Sequence, residues 1–233
     1  MNFSHSLDVP LSERLAEIIR QAIFTGQLPS GSKIPQDELA EEFGVSRMPI
    51  REALVILNYE GLVRVEPRRG AWVAPLTMES VDEAYTMRRW AEAKAVELSL
   101  PRLTDQDLEL ARQQLHLLED AEETRNAERF VRTNRDFHQI LRERCPWPKL
   151  LGLVDTLWNG FPPLTPTFVA DQMTHDRNEH RQLFEAALRR QAKEAAELMA
   201  KHIDRSWSSA RAHFLSLGWP ETREEGAARN AST

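Results

Sequence analysis

Residues 39–54 read LAEEFGVSRMPIREAL, and this stretch decides the fold of the N-terminal segment. Its apolar residues recur at helical spacing on both sides of a Gly-Val-Ser sequence at 44–46, which suits a three-residue turn. Ser46 is placed to cap the helix that follows the turn. The pattern predicts a short helix over residues 37–43 and a longer one over about residues 47–60. Two helices joined in this way form a helix-turn-helix.

The sequence on either side adds a preceding helix and a hairpin. An apolar stripe at helical spacing begins at Leu11 and predicts a first helix. Gly61 is placed as the C′ residue of the third helix. Two short β runs at 62–65 and 71–73 follow, joined by a turn at 67–70. This order is typical of a winged helix-turn-helix, whose third helix enters the major groove and whose hairpin lies near the adjacent backbone or minor groove.

The net charge does not by itself favour a nucleic-acid partner, because binding phosphates requires Lys and Arg. The chain has 30 Lys and Arg against 36 Asp and Glu, and residues 1–75 hold eight against ten. Five of those eight positive residues nevertheless lie on the third helix and the hairpin: Arg47, Arg51, Arg64, Arg68 and Arg69. The distribution of charge therefore favours DNA binding although the total does not.

The start of the third helix carries the residue types that DNA recognition needs. Arg47 and Arg51 are four residues apart and share one helix face. Arginine can bind guanine O6 and N7 with two hydrogen bonds. Ser46 and the free N–H groups of the helix start suit a phosphate. The alternative is that the arginines only form a solvated helix face and a surface turn.

The remainder of the chain is predicted to be almost entirely helical, so the fold class is mainly α, with a C-terminal all-helical bundle. Prolines separate the helical segments, and Thr104 is placed as an N-cap. The predicted helices cover residues 78–100, 105–125, 127–143, 149–158, about 176–189 and 192–217. The predicted domains are a DNA-binding domain at 1–75, a linker at 76–79, an effector-binding and dimerisation domain at 80–220, and a flexible tail at 221–233.

Composition excludes several classes of protein. The single cysteine, Cys145, excludes an intramolecular disulfide and fits a reducing compartment. No stretch reaches the roughly 18 consecutive apolar residues that span a bilayer. The N-terminus lacks the basic and apolar regions of a signal peptide. These features predict a cytoplasmic protein without a membrane partner. No basic partner near Cys145 is evident from spacing, so we do not expect it to be a nucleophile.

Three of the seven histidines lie on three different predicted helices: His138, His180 and His202. Asn134 precedes His138 by four residues, so the two side chains share a face. The helices that carry His180 and His202 are consecutive and can pack as an antiparallel pair. Imidazole favours Zn, Ni, Cu or Fe over Mg or Ca. The histidines are therefore a candidate site for a divalent transition metal.

The N-terminal segment resembles the GntR family of bacterial transcription regulators. The similarity spans about residues 11–75, including the quoted stretch, Pro29-x-Gly31, Glu60-Gly61-Leu62-Val63 and Arg69-Gly70-Ala71-x-Val73. The resemblance implies DNA contacts from the recognition helix and the wing: Ser46, Arg47, Met48, Arg51, Arg68, Arg69 and Gly70. Met48 replaces the small or hydroxylated residue usual in the family and can contact a thymine methyl. Asp37 stands where some members carry a basic residue, so that contact is not implied here.

The helical segment, residues 78–217, resembles the FCD effector domain of the FadR-like branch of this family. The similar motifs are Tyr85-x-x-Arg88-x-x-x-Glu92, Phe137-His138-x-x-Leu141, Glu179-His180-Arg181 and Met199-x-x-His202. In metal-binding members, three histidines and an aspartate converge, and a carboxylate effector completes the shell of the metal. The resemblance therefore implies that His138, His180, His202 and Asn134 bind Zn or Ni, and that these four residues and Arg88 bind the effector. Asn134 replaces the aspartate and removes a negative charge.

The sequence thus predicts a homodimeric DNA-binding regulator that binds a palindromic operator and a small carboxylate. Family grounds alone favour a repressor. Three alternatives remain open. The histidines can form a metal-free anion pocket, and Arg88 can pair with Glu92 at i+4 instead of binding an effector. A three-histidine site also suits a metal-dependent hydrolase, although no HExxH motif is present. A DNA-architectural protein without a ligand is the third. Tryptophans of this segment, among them Trp158, either wall the pocket or fill the core.

Overall fold

The computed structural model describes residues 9–160, 170–216, 219–222 and 224–225. The chain forms two compact units. One comprises Met1–Thr77 with Pro220–Thr233, and the other comprises Met78–Trp219. Within the described residues, no helix is both long enough and apolar enough to cross a membrane.

The first unit has the predicted helix-turn-helix and hairpin. Its elements are α1 (Leu11–Phe24), α2 (Gln36–Glu42), α3 (Arg47–Tyr59), β1 (Val63–Glu66) and β2 (Gly70–Val73). α1 packs against α3, and the apolar side of α3 is fully buried at Ile50, Ala53 and Leu57. Burying this stripe supplies the main stabilisation, since each fully buried Ile or Leu side chain contributes about 1.5–3 kcal/mol.

One helix end in the first unit departs from the expected capping. Ser46 occupies the N-cap position of α3, but its side chain makes no capping hydrogen bond, so the expected cap is wrong. Gly61 follows α3 at a φ of 80°, as a C′ glycine does.

The hairpin pairs β1 with β2 in antiparallel register, from Val63 opposite Val73 to Glu66 opposite Gly70. β2 starts one residue before the predicted run, since Gly70 pairs with Glu66 and extends the ladder. The extended segment before α2 also joins the hairpin, because the Ile34 N–H donates to the Ala71 carbonyl at 2.8 Å. At the tip, Arg68 has a positive φ of 64°.

The second unit is a helical bundle, as predicted. Its helices are α4 (Met78–Ser99), α5 (Asp105–Glu123), α6 (Ala127–Arg142), α7 (Pro148–Gly160), α8 (Ala170–Leu188) and α9 (Ala192–Ser216), with a 3₁₀ turn at Leu100–Arg102. α4 packs on α9 and α7, and α5 packs on α6 and α8. Thr104 forms the predicted cap: its side chain accepts from the Asp107 N–H at 3.1 Å, and Asp107 accepts from the Thr104 N–H at 2.8 Å.

Boundaries in the second unit differ from the expected ones. α4 begins at Met78, as predicted for this helix, so its first two residues overlap the linker predicted at 76–79. α8 begins at Ala170, six residues before the predicted start. The predicted tail falls mostly outside the described residues, and Pro220 onward groups with the first unit.

Candidate functional site

A groove in the first unit collects most of the predicted DNA contacts. It has a volume of about 900 Å³ and lies among α2, α3 and the hairpin. Its lining includes Arg47, Met48, Arg51, Arg68, Arg69 and Gly70. Ser46 is exposed but does not line the groove. Met48 is 63% exposed, and an apolar side chain this exposed is typical of a surface that a binding partner covers.

Carboxylates pair with three of the arginines on α3 and the hairpin. Arg47 Nε lies 2.6 Å from Asp37 Oδ1, and both side chains are about two-thirds exposed. Glu66 pairs with Arg64 and with Arg69, each at 3.1 Å. Among the described residues, Arg51 and Arg68 form no ion pair. Exposed pairs contribute about 0–1 kcal/mol, so the paired arginines can exchange a carboxylate for a phosphate at little cost.

In the second unit, the three predicted histidines meet in the interior. α6 supplies His138, α8 supplies His180 and α9 supplies His202, and each is at most 5% exposed. One ring nitrogen of each lies within 4.8 Å of the others. Nε2 of His138 lies 3.4 Å from Nε2 of His180. Three helices, the last two of them consecutive in the chain, therefore present imidazoles to one point.

Two glutamates that the sequence did not mark as site residues bind the outer nitrogens of this cluster. Nδ1 of His138 lies 3.3 Å from Glu92 Oε2, and Nδ1 of His202 lies 2.8 Å from Glu179 Oε2. The available signal was Glu179 beside His180, but neighbours on a helix point about 100° apart. Glu179 therefore reaches His202 on the next helix instead.

Each glutamate is also held by an arginine. Arg88 Nε donates to Glu92 Oε1 at 3.0 Å, and both side chains are at most 2% exposed. Arg205 Nε donates to Glu179 Oε2 at 2.8 Å. The i+4 salt bridge considered for Arg88 is thus present, and it lies beside the histidine cluster.

Burial sets the ionisation of the cluster. It lowers the pKa of His180 well below the usual value, and the neighbouring His202 and His138 lower it further. Burial likewise lowers the pKa of His202 to about 3, with a further contribution from His138. Burial opposes ionisation of Glu92, yet Arg88 and His138 outweigh it and bring its pKa to about 2. At neutral pH, His180 and His202 are therefore neutral, as metal ligands must be, and Glu92 is an anion.

Aromatic side chains and two buried polar atoms without partners complete the surroundings. The Arg88 guanidinium lies 4.7 Å from the ring centre of Trp158 and 4.9 Å from that of Tyr85. The Trp158 ring lies 5.3 Å from the ring of His138. Asn134 Oδ1 and Trp158 Nε1 are buried and have no hydrogen-bond partner among the residues that the structure describes. Such atoms cost about 1–3 kcal/mol each unless a bound group satisfies them.

Both units match known sequence families. The description "Bacterial regulatory proteins, gntR family" matches residues 11–73, and "FCD domain" matches residues 83–205. The chain belongs to the GntR family. It is therefore a DNA-binding transcription regulator with an FCD domain, and the hydrolase alternative finds no support in the regulators it resembles.

Relatives of this GntR-family chain include characterised regulators. The HTH-type transcriptional regulator McbR of Escherichia coli is 29% identical over 84% of this chain and 92% of its own length. The gluconate operon transcriptional repressor of Bacillus licheniformis is 30% identical over 75% of this chain and 70% of its own. The solved structure of E. coli McbR/YncC superposes with a TM-score of 0.74, at 23% identity, and covers 89% of this chain and all of the other. That likeness supports the same fold.

Proposed function

We propose that this regulator is a homodimeric repressor. It binds a palindromic operator through its winged helices and responds to a small carboxylate held with a divalent metal at His138, His180 and His202. The observation that carries the effector site is the convergence of three buried histidines, one nitrogen of each within 4.8 Å of the others. Repression is supported by relatives named as repressors, and cytoplasmic location follows from action on DNA.

The exposed groups of the groove support operator contact by α3 and the hairpin. Arg51 and Arg68 are available for base edges or phosphates, because neither forms an ion pair within the described part of the chain. Arg47 and Arg69 become available when a phosphate replaces their carboxylate partners. Met48 can contact a thymine methyl, and the uncapped Ser46 hydroxyl and Gly70 N–H can reach the backbone.

The buried donor set fits a transition metal. Two nitrogens bound to one tetrahedral zinc at about 2.0–2.1 Å stand about 3.4 Å apart, which is the distance between Nε2 of His138 and Nε2 of His180. Asn134 lies one turn before His138, and its buried Oδ1 has no hydrogen-bond partner within the described part of the chain. The three histidines with Asn134 would hold Zn or Ni. The bound ion would act as a Lewis acid that binds carboxylate oxygens.

The chemistry around the histidines favours an anionic effector. Arg88 is a buried cation between Tyr85 and Trp158, and the Trp158 N–H donates to no acceptor among the described residues. A relative is named for the gluconate operon, which makes sugar acids the first compounds to test. An effector that prefers one arrangement of the dimer would change operator affinity about 5–150-fold, through a coupling of about 1–3 kcal/mol.

Elemental mass spectrometry of untagged full-length protein tests the metal. We expect about one Zn or Ni per chain in the wild type and none in His180→Ala. The matched control is His116→Ala, since the His116 side chain is 70% exposed and lies outside the cluster. Absence of metal after incubation with excess Zn²⁺ or Ni²⁺ would overturn the metal site and leave the histidines and Arg88 as direct effector contacts.

A further inference from the structure

We infer that Glu92 and Glu179 are positioning residues of the metal site, each acting through one histidine. Together with Arg88 and Arg205 they form two Arg–Glu–His relays, which turn Nε2 of His138 and Nε2 of His202 toward the ion. This inference rests on the proposed metal function and deepens it. It assigns roles to two carboxylates that the three-histidine site does not itself require.

The first relay runs from α4 to α6 and is fully enclosed. Glu92 divides its two oxygens between its partners: Oε1 accepts from Arg88 Nε at 3.0 Å, and Oε2 faces His138 Nδ1 at 3.3 Å. The side chains of Glu92 and His138 are each 1% exposed. Water therefore does not compete for the carboxylate, and the histidine ring is held from its outer side.

The second relay joins α8 to α9. Glu179 Oε2 accepts from Arg205 Nε at 2.8 Å and faces His202 Nδ1 at the same distance. Glu179 directly precedes His180 in sequence, so one turn of α8 supplies both a metal ligand and the carboxylate that orients a ligand on α9. The position of one helix thereby sets two of the three imidazoles.

Each relay determines which ring nitrogen of its own histidine, His138 or His202, is available to bind a metal. A neutral imidazole carries one N–H, and a carboxylate at Nδ1 places it there, leaving the Nε2 lone pair for a metal. The same contact makes the imidazole a more basic ligand. Asn134 brings no charge to the site, so stronger donation from two of the three histidines offsets the weaker fourth ligand.

Zn²⁺ titration of the chelator-treated full-length protein, against a chromophoric competitor, tests the relays. We expect Glu92→Gln and Glu179→Gln each to weaken Zn²⁺ binding about 10–100-fold, the range typical of lost outer partners. Asp107→Asn is the matched control. Asp107 is a buried carboxylate paired with Arg144 outside the cluster, and its loss leaves the Zn²⁺ affinity unchanged.

A second readout separates positioning from a merely structural role. In ¹⁵N-histidine spectra of the metal-free protein, His138 and His202 should each show the proton on Nδ1. Glu92→Gln should disturb the tautomer of His138 and spare that of His202, and Glu179→Gln should do the reverse. If Glu92→Gln fails to fold, Glu179→Gln still decides, because the Glu179 side chain is 28% exposed and tolerates the change better.

The outcomes distinguish this inference from the function beneath it. A wild type that binds no Zn²⁺ overturns the metal site and the relays with it. A wild type that binds Zn²⁺, with both Gln variants unchanged in affinity and tautomer, overturns the relays alone. Equal weakening by Asp107→Asn would show that general destabilisation causes the loss, and would also overturn them.

Discussion

Two arginine–carboxylate pairs, one in each unit, have similar geometry and opposite surroundings. Arg47 and Asp37 meet at 2.6 Å with side chains 72% and 66% exposed. Arg88 and Glu92 meet at 3.0 Å with side chains 2% and 1% exposed. The exposed pair can be exchanged for an outside anion, whereas the buried pair is part of the interior. Exposure, more than distance, therefore separates the surface proposed to bind DNA from the site proposed to hold a ligand.

The sharpest test of this contrast is removal of the buried arginine. Arg88→Ala should lower the free energy of unfolding by about 3–5 kcal/mol, because it leaves the buried Glu92 charge without its arginine. Arg47→Ala should change it by less than about 1 kcal/mol. Guanidinium denaturation of the two variants measures both. Similar decreases in the free energy of unfolding of the two variants would show that exposure does not distinguish the two pairs.

A second test concerns Arg51, an arginine of the groove that pairs with no carboxylate among the described residues. Arg51→Ala should weaken binding to an operator duplex, recovered by selection from random DNA, by about 1–3 kcal/mol, with the dimer and its stability unchanged. Fluorescence anisotropy measures the affinity. Arg14→Ala, an exposed arginine of α1 that does not line the groove, is the control. Unchanged binding by Arg51→Ala would mean that α3 is not the recognition helix.

The smallest expected effect comes from the partner of Arg47. Asp37→Ala removes a negative charge from the groove and frees Arg47 for a phosphate. Operator affinity should rise at low salt, and the slope of log affinity against log salt should steepen by about one phosphate contact. Asp37→Asn should have the same sign. An unchanged slope would show that Arg47 keeps its distance from the DNA backbone.

Local sequence signals predicted most of the fold. Apolar periodicity, the Gly-Val-Ser turn and Gly61 located the helix-turn-helix, and the Thr104 cap was found where its spacing placed it. The cap expected from Ser46 was wrong, because residue type and position do not fix a side-chain rotamer. The start of α8 was missed by six residues, since the sequence there carries no clear cap.

The site was predictable only within single helices. The i+4 spacings brought Arg88 to Glu92 and Asn134 beside His138 on one face. Contacts between Glu92 and His138, and between Glu179 and His202, depend on how helices cross, and one sequence does not encode that in any local pattern. The same limit left Trp158 undecided between core and pocket, whereas it packs on both His138 and Arg88.

The left-handed backbone conformation of Arg68 affects which residue is best at the tip of the hairpin. Glycine adopts this conformation freely, whereas most other residues adopt it at a penalty of about 1 kcal/mol. Asparagine and aspartate adopt it more readily than the rest. A procedure that ranked substitutions by folding stability alone would replace Arg68 with glycine and discard the guanidinium at the wing tip. If Arg68 contacts the operator as proposed, the most stable sequence for the wing and the one that binds DNA best are different sequences.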